Sequence, residues 1–534
     1  MCINPLTSAV SVEEESKNLT TRIREFDAKQ FARSKIQFEF KWTVARFLLA
    51  SGGLYYVNPA FLPASLGFLT TLVYILAVFK PDFYGVNRDR LSLWTNSQCR
   101  QQNRQDLCKI TLQEFQEQVA KGCQWTVLDG YVVDLTRLGV HPGGNYLDRF
   151  VGRDVTPWFL CQHAKNNKVL KVSSHCTVAK LELKSQKALL CAADQDYLTL
   201  HEQAVQEGIF DVKRAWLLRN VMEVFCPSVI GYYVMWTAQD VYTKALGMII
   251  MQIGVTRVGW VFHDIMHYGL FDNTDRARWW ARWPLFIILG FDFLKTGDIH
   301  AIHHTFPNVI GLDTAMQMEI IKLHPGQGKP LVPSGGQNAM FYGFLTWMVL
   351  PYYAVAGVIA NRRAASMLAL MAVRLYITLY FWKYFAPILV ANVIGFAWFA
   401  LWGSLNHFHM DMGFADDVFP PDATKKQGPS FVVLQSQTVQ NTESTMVLDA
   451  VSGHLTLHVE HHLFPHAPRH NYRILKPRIL DLLKRYNLFY DTCSQASALA
   501  KFNAVLFDPT SKHSGESAKI LMHIPIDTKT VKAE

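Results

Sequence analysis

Charged residues are scarce in this chain. They make up 18% of its 534 residues, while hydrophobic residues make up 50%, and an average soluble domain carries about 25% charged residues. This scarcity disfavours a wholly soluble protein and favours a membrane protein with soluble parts. The nine cysteines include no Cys-x-x-Cys pair. A disulfide scaffold is therefore disfavoured, and the soluble parts are expected on a reducing, cytosolic side.

The N-terminus lacks the basic region of a cleaved secretory signal, since Glu13, Glu14 and Glu15 stand there instead. Internal repeats and nucleic-acid-binding motifs are also missing, so no nucleic-acid partner is expected. The net charge of +9 is spread over Lys and Arg between apolar segments. This pattern is typical of loops that are retained in the cytoplasm beside anionic lipid.

Apolar segments are long enough to cross a bilayer, which takes about 20 residues, at 61–79, 221–237, 245–262, 341–360 and 367–405. Arg374, Lys383 and Pro387 interrupt the last segment, which leaves either one crossing with an interfacial helix or two crossings. Segment 44–59 is a further weak span, so the N-terminal extension crosses once or twice. Together the segments predict a membrane protein with several crossings.

Histidines gather in three short boxes, which are His263 to His267, His300 to His304 and His458 to His462. Residues three and four apart share one face of a helix, so their rings can point at a common centre. One such pair is weak evidence, but three boxes together predict a metal site. Imidazole suits iron, copper, zinc and nickel. Eight rings exceed the needs of one ion and predict two, and zinc would be redox-silent.

A different histidine motif, His141-Pro142-Gly143-Gly144, follows a β-rich run at 125–135. With Gly152-Arg153-Asp154-Val155-Thr156 and then His163, it resembles cytochrome b5 over about residues 91–182. The resemblance implies a haem b held by His141 and His163 as axial ligands. His175 is the alternative second ligand, although it lies outside the matching pattern.

The segment from Asn441 to Asn471, which contains the third box, resembles front-end fatty acid desaturases with a fused N-terminal cytochrome b5 domain. The likeness extends to Asp196-Tyr197, Gly208-Ile209-Phe210 and Leu405-Asn406-His407 and spans about residues 91–488. It implies a double bond introduced into the acyl chain of an acyl-lipid or acyl-CoA substrate. It also implies two non-haem irons, O2 as co-substrate, and electrons that pass from NADH through cytochrome b5 reductase and the haem to the irons.

The iron ligands that the boxes and this resemblance predict are all histidines, namely His263, His267, His300, His303, His304, His407, His458, His461 and His462. His458 departs from the family, which has Gln at this position. We predict that it is a true ligand and that it faces the same metal as His461, three residues further on. Asp264 and Glu460 either accept the second ring N–H of a ligating histidine or are solvated acids.

The predicted fold is a multi-domain protein, with a small α+β cytochrome b5-like haem domain followed by an all-α polytopic membrane desaturase domain with a cytosolic His-box cap. The predicted order is an N-terminal extension at 1–90, the haem domain at 91–182, a linker at 183–217, the desaturase domain at 218–490 and a polar tail at 491–534. The expected location is the endoplasmic reticulum membrane, with the haem domain and the boxes facing the cytosol.

Two other functions fit the same residues. A b5-fused sphingoid-base desaturase or fatty acyl hydroxylase needs the same oxidant and the same ligands. In a non-catalytic haem-binding membrane protein, the boxes would be remnants of a lost metal site. The presence of all eight box histidines argues against this alternative.

Overall fold

The computed structural model of the chain describes residues 107–138, 141, 144–163, 175–267, 293–313, 321–327, 332, 335–345, 372, 375–376, 379–380, 382–420 and 429–509. The predicted N-terminal extension at 1–90, with its membrane segments, lies outside the described residues. So does the end of the predicted tail, from 510 onward.

A four-stranded sheet lies at the centre of the N-terminal domain, a name we use for residues 107–182. Its strands are β1 (Lys109–Ile110), β2 (Trp125–Leu128), β3 (Tyr131–Asp134) and β4 (Thr177–Leu181), in the order β1-β4-β3-β2. Strands β2 and β3 form an antiparallel hairpin. Between them, Asp129 and Gly130 have positive φ angles of 51° and 74°. Asp-Gly favours this two-residue turn, whose twist matches that of the strands.

Two α-helices of the N-terminal domain lie among its described residues. Helix α1 (Leu112–Ala120) begins after Thr111, whose side chain accepts from the backbone N–H of Glu114, while the Glu114 carboxylate accepts from the backbone N–H of Thr111. This reciprocal cap satisfies two otherwise unpaired donors. Helix α2 (Thr156–His163) ends on a candidate haem ligand. The expected small α+β region is confirmed.

Segment 183–217, which the sequence predicts to be a linker, contains helices α3 (Leu183–Ala188) and α4 (Ala192–Gln206). Helix α4 is anchored to the rest of the chain by buried polar contacts. Tyr197 Oη donates to the carbonyl oxygen of Leu463 at 2.7 Å, and Asp194 Oδ1 accepts from the backbone nitrogen of Val432 at 3.0 Å. The segment therefore packs as part of the fold.

The remainder, which we call the helical domain, contains α5 (Arg214–Thr237), α6 (Val241–Met266), α7 (Phe293–Thr305), α8 (Gly336–Met340), α9 (Trp382–Leu405), α10 (Ala415–Val418), α11 (Phe431–Thr438), α12 (Met446–Ser452), α13 (His458–Leu463), α14 (Tyr472–Arg485) and α15 (Gln495–Phe507). Two short parallel pairs join distant segments. Strand β5 (Val309–Ile310) pairs with β6 (Gly413–Phe414), and β7 (Asn441–Thr442) with β8 (Thr492–Cys493). An all-α domain is thus confirmed in its main features.

Helices α5 and α6 pack closely because glycine lies where they touch. A Cβ at Gly231 would lie 2.2 Å from the backbone nitrogen of Met251, and one at Gly247 would lie 2.6 Å from that of Met235. Small residues of this kind let helix backbones approach in a membrane, where van der Waals packing replaces the hydrophobic effect between helices. This contact determines where the end of α6 lies.

Two of the described helices are long and apolar enough to cross a membrane, Val241–Met266 and the Ala386–Leu405 part of α9. The predicted segments 221–237 and 245–262 fall within α5 and α6. Segments 341–360 and 367–405 are only partly among the described residues. The number of crossings therefore stays a prediction.

One hydrophobic core runs through both domains. It includes Phe150 and Trp158 of the N-terminal domain, Tyr197 of α4, and Phe419 and Leu463 of the helical domain. A continuous core between domains is the mark of a permanent rather than a transient contact. The N-terminal domain is thereby packed against the helical domain.

Candidate metal centres

Four separate parts of the helical domain bring histidines together. His263 and His267 lie at the C-terminal end of α6, and α7 carries the second box in its last two turns. His407 follows directly after α9, and α13 is built from the third box itself. Each of these elements has one end in the same buried region of the domain. The histidine rings therefore point into that region.

A five-histidine cluster consists of His263, His267, His300, His304 and His461. One nitrogen from each ring lies within 4.8 Å of one nitrogen from every other ring. The Nε2 atom of His300 lies 3.0 Å from Nε2 of His263 and 3.3 Å from Nε2 of His304. Metal–imidazole bonds of about 2.1 Å at right angles hold two nitrogens about 3.0 Å apart. The spacing of these atoms fits one metal ion.

A second group consists of His303, His407 and His462, and we call it the His407 cluster. His303, His407 and His462 have ring nitrogens within 4.8 Å of one another. Around Nε2 of His407, Nε2 of His303 lies at 3.2 Å, that of His462 at 3.1 Å and that of His458 at 3.0 Å. Four rings thus converge on a second centre.

The expectation that His458 faces the same metal as His461 is wrong. The His458 ring contacts His407 and lies 4.9 Å from the His462 ring, measured between centroids, whereas His461 belongs to the five-histidine cluster. On a helix of 3.6 residues per turn, residue i+4 is rotated by about 40° from residue i and residue i+3 by about 60°. In α13, His458 and His462 lie four residues apart and share a centre. His458 and His461 lie three residues apart and belong to different centres.

The other ring nitrogen, Nδ1, is held from outside in several of these histidines. The partners are Asp313 Oδ2 for His303 at 2.8 Å, the Thr438 carbonyl for His407 at 3.1 Å, Tyr472 Oη for His461 at 2.9 Å and Gln435 Oε1 for His462 at 2.9 Å. The carboxylate, carbonyl and amide oxygens can only accept, so they place the ring proton at Nδ1 and leave the Nε2 lone pair free for a metal.

These partners are residues that the sequence did not single out. Asp313 follows His303 by ten positions, and the backbone nitrogen of Asn308 also donates to it at 2.8 Å. Gln435 joins the two clusters, because it accepts from His462 and its Nε2 donates to the His304 carbonyl at 2.9 Å. No spacing rule connects either residue to a box, so only the fold reveals them.

The two carboxylates inside the boxes have other partners. Asp264 Oδ2 lies 3.3 Å from Nε of Arg469. Glu460 accepts from Asn441 Nδ2 at 2.9 Å and from Tyr490 Oη at 2.7 Å. Both are buried, so neither is a solvated acid, and these contacts tie them to side chains other than the ligating rings.

Burial keeps the rings neutral. Loss of hydration lowers the pKa of His300, His304 and His461 well below the usual value, and neighbouring imidazoles lower it further. Neutral imidazole is the form that binds metals. Among the described residues, the buried Nε2 of His461 has no hydrogen-bond partner. An unpaired buried nitrogen is costly, and a bound metal ion would satisfy it.

The candidate haem ligands form a pair in the N-terminal domain. The ring centroids of His141 and His163 lie 6.2 Å apart, with the ring planes at 86°. Two metal–nitrogen bonds of about 2.0 Å plus half of each ring span about 6 Å, so an iron fits between them. Burial lowers the pKa of His163 to about 3. His175 is exposed, while Pro142 and Gly143 lie outside the described residues.

Comparison with known proteins agrees with this arrangement. Residues 241–494 match the family described as Fatty acid desaturase, and residues 111–182 match the Cytochrome b5-like Heme/Steroid binding domain. A Delta(8)-fatty-acid desaturase of Euglena gracilis is 24% identical over 389 residues, which cover 66% of this chain and 87% of the relative. Fatty acid desaturase 3 of Homo sapiens is 23% identical over 406 residues, 71% of this chain and 88% of the relative.

Residues 241–494 of the chain form a domain of the fatty acid desaturase family, and a cytochrome b5-like domain precedes it. The resemblance to front-end desaturases with a fused cytochrome b5 domain is confirmed, and so is the prediction that the protein is an oxidoreductase. The b5-like match implies haem in the N-terminal domain of this desaturase. Its family and its histidine clusters point to iron in the helical domain.

Proposed function

We propose that this desaturase is a front-end enzyme that introduces a double bond into a lipid acyl chain, using O2, two non-haem irons and electrons from its own haem domain. The observation that carries the proposal is the convergence of histidine nitrogens into two adjoining buried clusters. The matched family and the fatty acid desaturases among its relatives favour this reaction over the sphingoid-base and hydroxylase alternatives.

The ligands divide between the two irons by cluster. The first iron would be held by the five-histidine cluster and the second by the His407 cluster with His458. When bound, the irons supply the activation of O2 that breaks unactivated C–H bonds. Electrons balance because O2 takes up four in becoming two waters. Two come with the hydrogens that leave the acyl chain, and two come one at a time from the haem domain.

The protein's own side chains orient the ligands and keep water away. Asp313, Gln435 and Tyr472 hold the outer nitrogens of rings in both clusters. Their preorganisation matters because outer partners of this kind typically change metal affinity or activity about 10- to 100-fold. Apart from His300, which is half-buried, the histidines of both clusters are buried, which protects the oxidant from side reactions with solvent.

An apolar aromatic group adjoins the first cluster on the side of α6 and α9. The ring of Phe399 lies 6.0 Å from that of His263 and 4.9 Å from that of Trp260. Trp402 and Leu455 are buried with Trp260 in the same group. We infer that the acyl chain approaches the irons along this group, because an alkyl chain gains about 0.8 kcal/mol for each buried CH2.

The partners and location follow from the same chemistry. The haem domain accepts electrons singly, so we infer that NADH acts through a separate cytochrome b5 reductase. The substrate is an acyl-lipid or acyl-CoA at a membrane, and the desaturase family is one of membrane proteins. We propose the endoplasmic reticulum membrane, with both metal centres on the cytosolic side.

Expression in a desaturase-poor host that is fed individual polyunsaturated acids tests the proposal. We expect a new double bond on the carboxyl side of an existing one in at least one fed acid, as analysed by gas chromatography with mass spectrometry. His462→Ala provides the control, because it removes a ligand of the second cluster and should abolish the product. A hydroxylated product, or an altered sphingoid base with unchanged fatty acids, would contradict the proposal.

A further inference from the structure

The last turn of α2 lies directly against the metal clusters. Cys161 Sγ lies 3.9 Å from the carbonyl oxygen of His304 and 3.9 Å from that of His462. Gln162 Nε2 donates to the carbonyl oxygen of Ala301 at 2.9 Å. The Cys161 side chain therefore contacts one histidine residue of each cluster. Two residues further on, His163 is a candidate haem ligand.

Aromatic side chains around this turn form a dry interface between the domains. The ring of Phe150 lies 5.6 Å from that of Phe306 and 5.8 Å from that of Phe419. The ring of Trp158 lies 5.5 Å from that of Phe431. All five side chains are buried. An interface of this composition resembles a domain core and does not open readily.

Two arginines of the N-terminal domain bind one segment of the helical domain, α10 and the two residues after it, at the edge of this interface. Arg149 Nη1 lies 2.6 Å from Asp416 Oδ1 and 3.2 Å from the carbonyl oxygen of Phe419. Arg153 Nη2 donates to the carbonyl oxygen of Pro420 at 2.7 Å. Charge pairing and backbone hydrogen bonds thus fix the orientation of the aromatic contact.

We propose that the N-terminal domain stays docked on the helical domain and that electrons leave it through the last turn of α2. Cys161 and Gln162 are positioning residues that hold this turn against the backbone of both clusters. The proposal rests on the proposed function. A tether alone raises the effective concentration of a donor, whereas a docked donor needs no encounter and always presents the same exit. Reductase then reaches the haem domain from a face that α2 does not occupy.

The variant Phe419→Asp tests the docking, because it places a charge against Phe150 and Trp158. We expect faster hydrogen exchange in the backbone amides of α2 in the purified protein, without any turnover. Re-oxidation of the pre-reduced haem by O2, with the acyl substrate that the feeding experiment identifies, should slow at least about tenfold, the effect of about 1.4 kcal/mol. The haem spectrum and the rate of haem reduction by NADH and reductase should not change.

Phe507→Asp is the matched control, since Phe507 is an exposed phenylalanine at the end of α15. It should leave both hydrogen exchange and haem re-oxidation as in the unmodified protein.

Swapping the charges of the ion pair between Arg149 and Asp416 supplies a milder second test. Arg149→Asp should slow re-oxidation about two- to fivefold, as expected for an exposed ion pair worth less than about 1 kcal/mol. The double variant with Asp416→Arg should restore it.

Gln162→Leu tests the exit itself, because it removes the donor to Ala301 while keeping a similar volume. Re-oxidation should slow with exchange of α2 unchanged, and Gln113→Leu at an exposed site on α1 should have no effect. Two results would overturn the proposed exit. One is an unchanged rate of haem re-oxidation in Phe419→Asp although hydrogen exchange in α2 is faster, and the other is an unchanged rate in Gln162→Leu. Unchanged exchange and re-oxidation in Phe419→Asp would overturn the docking. A failed proposed function gives a different result, since even the unmodified protein would then show no substrate-dependent re-oxidation.

Discussion

At the scale of single residues, His407 occupies the centre of its cluster. Its Nε2 atom lies between 3.0 and 3.2 Å from the Nε2 atoms of three other histidines, and its Nδ1 is held by the Thr438 carbonyl. Ordinary packing does not explain a ring whose Nδ1 is hydrogen-bonded and whose Nε2 lies close to the nitrogens of three other histidines. The site therefore depends on His407 more than its isolated position in the sequence indicates.

We predict that His407→Ala loses one iron and reduces desaturation at least about 100-fold, because loss of a ligand should cost no less than the largest effect of losing an outer hydrogen-bond partner. The haem spectrum should remain. His409→Ala is the control, because His409 lies two residues further on, and its Nε2 is bound to Gln440 Oε1 at 2.5 Å. That variant should keep its non-haem iron, measured by elemental analysis. Full iron in His407→Ala would contradict the assignment.

His458 stands where the resemblance to front-end desaturases predicts Gln. Its Nε2 points at His407, and its Nδ1 lies 2.9 Å from Nδ2 of Asn406. We predict that His458→Gln keeps partial desaturation because the family's own side chain returns, whereas His458→Ala loses both iron and product. Product yield and iron content are to be measured in parallel. Unchanged values in His458→Ala would show that the ring is a spectator.

At the scale of elements, the contact between α5 and α6 positions the first box. Gly231 and Gly247 allow the two backbones to touch, and His263 and His267 follow at the end of α6. Any change that separates the helices therefore moves two rings of the five-histidine cluster. The glycines act on the metal centre from several helical turns away.

We predict that Gly231→Ala destabilises the protein by about 1 to 3 kcal/mol, as overpacking does, because its Cβ would lie 2.2 Å from the backbone nitrogen of Met251. The thermal midpoint in detergent and the iron content should both fall. Gly403→Ala on α9 serves as the control, since no atom of the described residues lies within 4 Å of a Cβ there. Equal stability of the two variants would count against the helix contact.

At the scale of the whole molecule, the two cofactor sites lie in different domains that share one core. His141 and His163 belong to the N-terminal domain, and the histidine clusters belong to the helical domain. Because the ligand sets do not overlap, each cofactor should be removable without the other. We therefore expect the two domains to bind their metals independently, even though the proposed function couples them in electron transfer.

We predict that His163→Ala abolishes the reduced b-type absorption and NADH-driven turnover while non-haem iron stays bound. The reason is that the second axial position loses the imidazole whose ring centroid lies 6.2 Å from that of His141. His175→Ala should keep a normal six-coordinate spectrum, because His175 is exposed. A normal spectrum in His163→Ala would favour His175 as the second ligand.

Sequence alone determined the chemistry of this protein, because that chemistry depends on residue types at short spacings. The three boxes predicted an imidazole metal site with two ions, and the motif at His141 with its following residues predicted a haem domain. The Asp129-Gly130 turn and the Thr111 cap are equally local features, which the sequence encodes through backbone preference.

Tertiary structure decided which histidines share a centre and what holds them. His458 joins His407 and not His461, because the orientation of α13 relative to α9 determines which side of the helix faces which cluster. Asp313 and Gln435 reach the rings only after distant segments have packed together. The contact of Cys161 with His304 and His462 joins residues more than 140 and 300 positions apart. Such contacts depend on the burial of a shared core, which no local pattern in the chain records.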